Sequence, residues 1–136
     1  MDFSRAFHTD IQVRFSDTDA LGHVNNVAYA VYLETARVAA LAELGFSITT
    51  VVAHLEIDYR HEIRLGQRVT VELLVSHVGR SSWTYRYRVL ADGELAAEAN
   101  TVQVVINPLL MRPDPIPPEV RAWLLAHADL PEAARE

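Results

Sequence analysis

Residues 27–44 are apolar around most of a helical circumference, and four segments of alternating pattern follow them. Few folds accept that combination, because a helix that is apolar nearly all round must be covered nearly all round. Val27, Tyr29, Ala30, Val31, Leu33, Val38, Leu41 and Leu44 supply the apolar surface. Glu34, Arg37 and Glu43 interrupt it, and Gly45 offers a C-terminal cap. The alternating segments are 53–59, 69–75, 83–89 and the less regular 95–106. Period two marks half-buried antiparallel strands. Leu65-Gly66-Gln67, Gly79-Arg80-Ser81 and Ala91-Asp92-Gly93-Glu94 separate them, and the last reads as a hairpin turn. A fifth alternating stretch, Ile11-Gln12-Val13-Arg14-Phe15, precedes the helix. An antiparallel sheet of five strands curved around one long central helix satisfies all of these patterns, giving an α+β domain of two layers. One sheet leaves the far side of the helix bare. A second copy would cover it, so a homodimer or homotetramer is expected.

The 136 residues suit one domain over 1–136, with its core at about 9–107. A proline-rich connector and a short helix carrying Val120, Trp123 and Leu124 occupy 108–130, and 131–136 are expected to fray. No apolar run reaches the length of a membrane span, and Met1-Asp2-Phe3-Ser4-Arg5 does not open a secretory signal. Cysteine is absent, which excludes disulfides, thiolate catalysis and Cys-based zinc sites. A cytoplasmic location is expected. Lysine is absent too, which excludes Schiff-base, pyridoxal phosphate and P-loop lysine chemistry. A formal charge of −6 argues against nucleic acid as a partner.

The residues before the helix are unusually polar. Asp17, Asp19, His23, Asn25 and Asn26 crowd the entry, with Gly22 permitting a turn. Asn25 or Asn26 can cap the free amides of the helix. A carboxylate is thereby brought beside a helix N-terminus, whose N–H groups and dipole favour developing negative charge. A base beside an oxyanion trap outlines an acyl-transfer site. Asp17 is expected to bond the turn or pair with Arg14. Glu34 lies about two helical turns beyond Asn26 and reads as an i, i+3 partner of Arg37 or of a residue across a dimer. His54, Glu56 and Asp58 share one strand face but read as an exposed polar face rather than a metal site, as do Arg86 and Arg88.

The whole pattern resembles the hotdog-fold thioesterases, in particular the 4-hydroxybenzoyl-CoA thioesterase group of acyl-CoA hydrolases. Asp17-Thr18-Asp19, Gly22-His23-Val24-Asn25-Asn26, Tyr29 and Tyr32-Leu33-Glu34-Thr35-Ala36-Arg37 carry the resemblance, which extends over residues 11–106. It implies that Asp19 is the catalytic carboxylate, as nucleophile or as general base, and that a backbone amide near Asn26 polarises the thioester carbonyl. His23 is implied as a further participant, orienting Asp19, holding water or meeting the acyl carbonyl. Val24, Asn25 and Tyr29 are implied to bind substrate, and Arg80, Ser81 and Ser82 to meet the CoA phosphates and pantetheine arm. The His-Val-Asn-Asn run also looks like the plant acyl-carrier-protein thioesterases, but Leu21 stands where their catalytic Asn would be. The expected activity is hydrolysis of an acyl-CoA to acid and CoA, with CoA entering as part of the substrate and no metal or other cofactor. An acyl-CoA binding protein without hydrolysis and an acyl-ACP thioesterase are the alternatives. A dehydratase lacks its Asp-x-x-x-x-His pattern here, and a serine hydrolase lacks the Gly-x-Ser-x-Gly elbow.

Overall fold

The computed structural model describes residues 1–45 and 48–130, so the fraying expected of 131–136 lies outside the described residues. A strand β1 (Phe7–Ile11) leads through a short 3-10 turn (Phe15–Asp17) into the helix α1 (Asn26–Leu44). Strands β2 (Thr50–Tyr59), β3 (Val69–Val78), β4 (Ser82–Ala91) and β5 (Glu94–Asn107) follow. A two-residue strand β6 (Arg112–Pro113) and a helix α2 (Pro118–Ala126) complete the chain. The antiparallel sheet runs in the order β1-β3-β4-β5-β2, with β6 on β5. It curves around α1 as expected.

The local signals explain most of these elements. Gly45 closes α1 in the left-handed region at φ 61°, and its N–H donates to the Ala42 carbonyl. Asp92 and Gly93 both have positive φ, 50° and 81°, as the tight β4–β5 hairpin requires. On β4, Trp83, Tyr85, Tyr87 and Val89 all face the core, as their alternation predicts. Opposite them α1 buries Ala28, Tyr29, Tyr32, Leu33, Ala36 and Ala40.

Two expectations are corrected. The first strand is 7–11, not 11–15, because Phe7 pairs with Leu73 and Ile11 with Val69. The Arg14 N–H is taken by the Asp17 carboxylate at 2.9 Å, which bends the next residues into a turn. The far side of the long helix is bare within one chain, as one sheet implies, with Val27, Val31 and Val38 68%, 42% and 61% exposed. Arg88 is not a merely solvated side chain. It pairs at 2.6 Å with Glu72, which is 6% exposed, and lies 4.2 Å over the Phe3 ring. Strand β2 forms one edge of the sheet and is exposed along most of its length. Helix α2 packs Val120 and Leu124 into the core.

Candidate active site

The loop between the 3-10 turn and α1 is tied down by its own backbone. Asn25 N–H donates to the Asp17 carbonyl (2.7 Å), Val24 N–H to Ile63 (2.7 Å) and Asp19 N–H to His23 (2.8 Å). Asn25, not Asn26, is the N-cap: its Oδ1 accepts from the Val27 N–H at 3.0 Å and its carbonyl from Ala28 at 2.9 Å. The amides of 24, 25, 27 and 28 are therefore all engaged. Among the described residues the Asn26 N–H has no acceptor, leaving one helix-terminal donor open.

The two carboxylates of the loop have different surroundings. Asp17 is 4% exposed and accepts from Arg14 Nη2 (2.8 Å), Nε (3.2 Å) and backbone N (2.9 Å), and from the Tyr32 hydroxyl (2.9 Å). Burial pushes its carboxyl upward, but those hydrogen bonds outweigh burial and hold it below the ordinary value. Burial, reinforced by the bond to Asp17, pushes the Tyr32 phenol well up, so it stays a donor. Asp19 is exposed. Its Oδ1 accepts from Leu21 N–H (2.8 Å) and His23 N–H (3.1 Å), while Oδ2 has no partner among the described residues.

An open cleft of about 470 Å3 gathers Asp19, His23, Val24, Asn26 and Tyr29 with residues from the end of β2. Tyr59, Arg60, His61 and Glu62 form its other wall, and none of them stood out in the sequence. The Tyr59 hydroxyl donates to the Asn26 carbonyl at 2.9 Å, and its ring meets Tyr29 edge-on at 4.9 Å. The Tyr29 hydroxyl donates to the His61 carbonyl at 3.3 Å. His23 Nε2 contacts Glu62 Oε2 at 3.0 Å, so its ring is directed to Glu62, and only its backbone N–H and carbonyl reach Asp19. The hydrogen bond from Arg64 holds the Glu62 carboxyl below its usual value.

Arg80, Ser81 and Ser82 are not in this cleft. Ser82 pairs with Val104 near the row where Thr50 meets Val105, whereas Tyr59 pairs with Ala97. At roughly 3.3 Å per residue, those two ends of the sheet are about 25 Å apart. The Gly79–Ser82 turn is fastened instead to the chain's C-terminal part, by Ile116 N–H on the Arg80 carbonyl (2.9 Å) and Arg121 Nη2 on that of Gly79 (2.8 Å). Glu34 and Arg37 form no ion pair with each other; Arg37 donates to the Tyr87 hydroxyl at 3.4 Å. His54 and Glu56 pair at 3.2 Å, and the described residues include no cluster of three or more metal-ligating side chains. No described helix is long and apolar enough to cross a membrane.

Residues 13–124 match the family model of the thioesterase-like superfamily. Over 127 residues the chain is 29% identical to the 1,4-dihydroxy-2-naphthoyl-CoA hydrolase of Synechococcus elongatus, covering 86% of this chain and 93% of that protein. It is 26% identical to the acyl-CoA thioester hydrolase YbgC of Escherichia coli O157:H7, covering 85% and 93%. A predicted thioesterase from Bacillus stearothermophilus superposes with a TM-score of 0.84 at 32% identity, covering 93% of this chain and 98% of that one. A Thermus thermophilus thioesterase complexed with coenzyme A and zinc does so with 0.78 at 35%, covering 93% and 96%. The chain belongs to the thioesterase-like superfamily, and its fold is the hotdog fold of those enzymes. It is a thioester hydrolase.

Proposed function

We propose that the protein hydrolyses acyl-CoA thioesters, with Asp19 as the catalytic carboxylate and the Asn26 N–H as the donor to the carbonyl oxygen. The observation that carries this reading is the open amide of Asn26 in the same cleft as Asp19, whose Oδ2 is unengaged. As the thioester carbonyl becomes tetrahedral, its oxygen gains charge beside the helix N-terminus, where one fixed donor is often worth roughly 2.7–4 kcal/mol. Asp19 acts in one of two ways. It attacks the carbonyl carbon, expelling CoA thiolate and forming an anhydride that water opens, or it takes a proton from the attacking water and returns it to the thiolate. Single-turnover hydrolysis in 18O water separates them, because only the first route can leave the label in Asp19. Neither route calls for a metal or redox group, and CoA arrives as part of the substrate. A coenzyme A complex of a relative with 35% identity supports CoA as the carrier.

A homodimer formed by antiparallel pairing of the free β2 edges completes this reading. A long exposed edge strand is a hazard that proteins rarely leave bare. The exposed apolar residues Val51, Val52 and Leu55 lie on that strand, and Val31 and Val38 lie exposed on α1. A two-fold axis near the middle of β2 would bring the partner's Gly79–Ser82 turn toward the cleft of Asp19. There Arg80, Ser81 and Ser82 could meet the CoA phosphates that the same chain cannot offer them.

Purified protein incubated with a panel of aliphatic and aromatic acyl-CoAs should release thiol, and Asp19→Asn should not. Absence of release from every member would favour a non-hydrolytic acyl-CoA binding protein. The shared site has its own test. Mixing refolded Asp19→Asn and Arg80→Ala chains should restore activity, since one cleft of the mixed dimer is then intact. If each cleft were built from a single chain, mixing would restore nothing.

A further inference from the structure

The peptide unit between Asn26 and Val27 is held at both ends. Its N–H, on Val27, donates to Asn25 Oδ1 at 3.0 Å, and its C=O, on Asn26, accepts from the Tyr59 hydroxyl at 2.9 Å. The first bond is the cap and stays within the loop. The second spans 33 residues and ties the first turn of α1 to the last residue of β2. In the preceding unit the Asn25 carbonyl accepts from Ala28 N–H at 2.9 Å, and the Asn26 N–H has no acceptor among the described residues. That N–H is the donor assigned above to the thioester oxygen, and it shares a Cα with the carbonyl that Tyr59 holds. Helix ends fray, so a tie from the sheet to this turn limits how far residue 26 can rotate. The Tyr59 ring also meets Tyr29 edge-on at 4.9 Å, about one turn further along α1.

We infer that Tyr59 is a positioning residue for the hydrolysis: its hydroxyl, bonded to the Asn26 carbonyl, fixes the direction in which the Asn26 N–H meets the developing oxyanion. The inference rests on the reading of Asn26 as the donor. A phenol has one proton, and here the carbonyl takes it, so Tyr59 acts through Asn26 rather than on the substrate. Direction matters because a fixed donor lowers the barrier only when it already points to where the oxygen sits in the transition state. The neutral carbonyl of the bound thioester gains much less from that alignment, so losing it falls on kcat rather than on KM. Tyr59 is 49% exposed and Asn26 is exposed, so water can replace the lost bond without unfolding the chain.

Two substitutions and their combination test it. Tyr59→Phe keeps the ring and removes only the bond. Asn26→Pro removes only the N–H. Proline is favoured at the first position of a helix, and Asn25 before it already has the extended conformation, φ −62° and ψ 141°, that a following proline requires. Steady-state kinetics on an acyl-CoA that the wild-type chain hydrolyses should show kcat lowered roughly 3- to 30-fold in Tyr59→Phe with KM unchanged. Asn26→Pro should lose about 100-fold or more in kcat. In the double variant Tyr59→Phe should add no further loss, because the donor it positions is gone. Unchanged kcat in Tyr59→Phe beside a crippled Asn26→Pro overturns this inference alone. So does the same fold-loss in both backgrounds, the result for a hydroxyl that acts on the substrate directly or only steadies the fold. Full activity in Asn26→Pro overturns the donor reading and this inference with it. The split between kcat and KM in Tyr59→Phe decides even if Asn26→Pro fails to fold, since a loss confined to KM contradicts a positioning role.

Discussion

Asp17 and Asp19 are two residues apart and carry the same functional group, yet their surroundings differ. Asp17 is buried and accepts four hydrogen bonds, three from Arg14 and one from Tyr32. Its capacity is spent on joining the turn to α1. Asp19 lines the cleft and accepts two amides on one oxygen, while the other has no partner among the described residues. The difference teaches that a carboxylate becomes available for chemistry when its loop, rather than its side chain, carries the bonds that hold it in place.

Removing the buried carboxylate is the harshest way to probe that division. Asp17→Ala leaves the Tyr32 hydroxyl and the Arg14 amide without their acceptor, and should cost about 2–3 kcal/mol in urea unfolding, in line with lost buried hydrogen bonds. Acid should erode the same contribution. Because the folded value of Asp17 lies below the unfolded one, its stabilisation is complete above the ordinary carboxyl value of 3.8 and is lost as pH falls through the folded value. The stability gap between the wild-type chain and Asp17→Asn, followed by urea midpoints from about pH 6 downward, should therefore narrow only below about pH 4. Capping gives a smaller contrast. Asn25→Ala should cost about 1 kcal/mol, whereas Asn26→Ala, whose side chain caps nothing, should stay within roughly 0.5 kcal/mol and keep its backbone donor. Equal losses for the two would break the assignment of Asn25 as the cap.

The parts of the fold legible in the sequence were those set by local periodicity. Alternation on β4 and the Asp92-Gly93 turn depend on neighbours in the chain, so they could be read directly. Ile11 to Phe15 alternates equally well, but strand identity there is decided by which residues pair with β3 and by the Asp17 carboxylate capturing the Arg14 amide. Neither is a local property. The same holds at the cleft. Asp19, His23, Val24, Asn26 and Tyr29 are close in sequence and gather as a group. Tyr59 to Glu62 join them only because β2 ends there, and nothing in their spacing announces it. Arg80 to Ser82 went the other way: a turn legible as a turn lies at the far end of the sheet in its own chain.

The most direct test of the account compares Asp17→Asn and Asp19→Asn in two measurements, thermal unfolding and thiol release from the best acyl-CoA of the panel. The account predicts opposite losses. Asp19→Asn should unfold within a few degrees of the wild-type chain yet release thiol at least ~100-fold more slowly, the low end of what a positioned base contributes. Asp17→Asn should unfold earlier yet keep most of its turnover per folded molecule. Thiol release that survives undiminished in Asp19→Asn would contradict the division of labour between the two carboxylates.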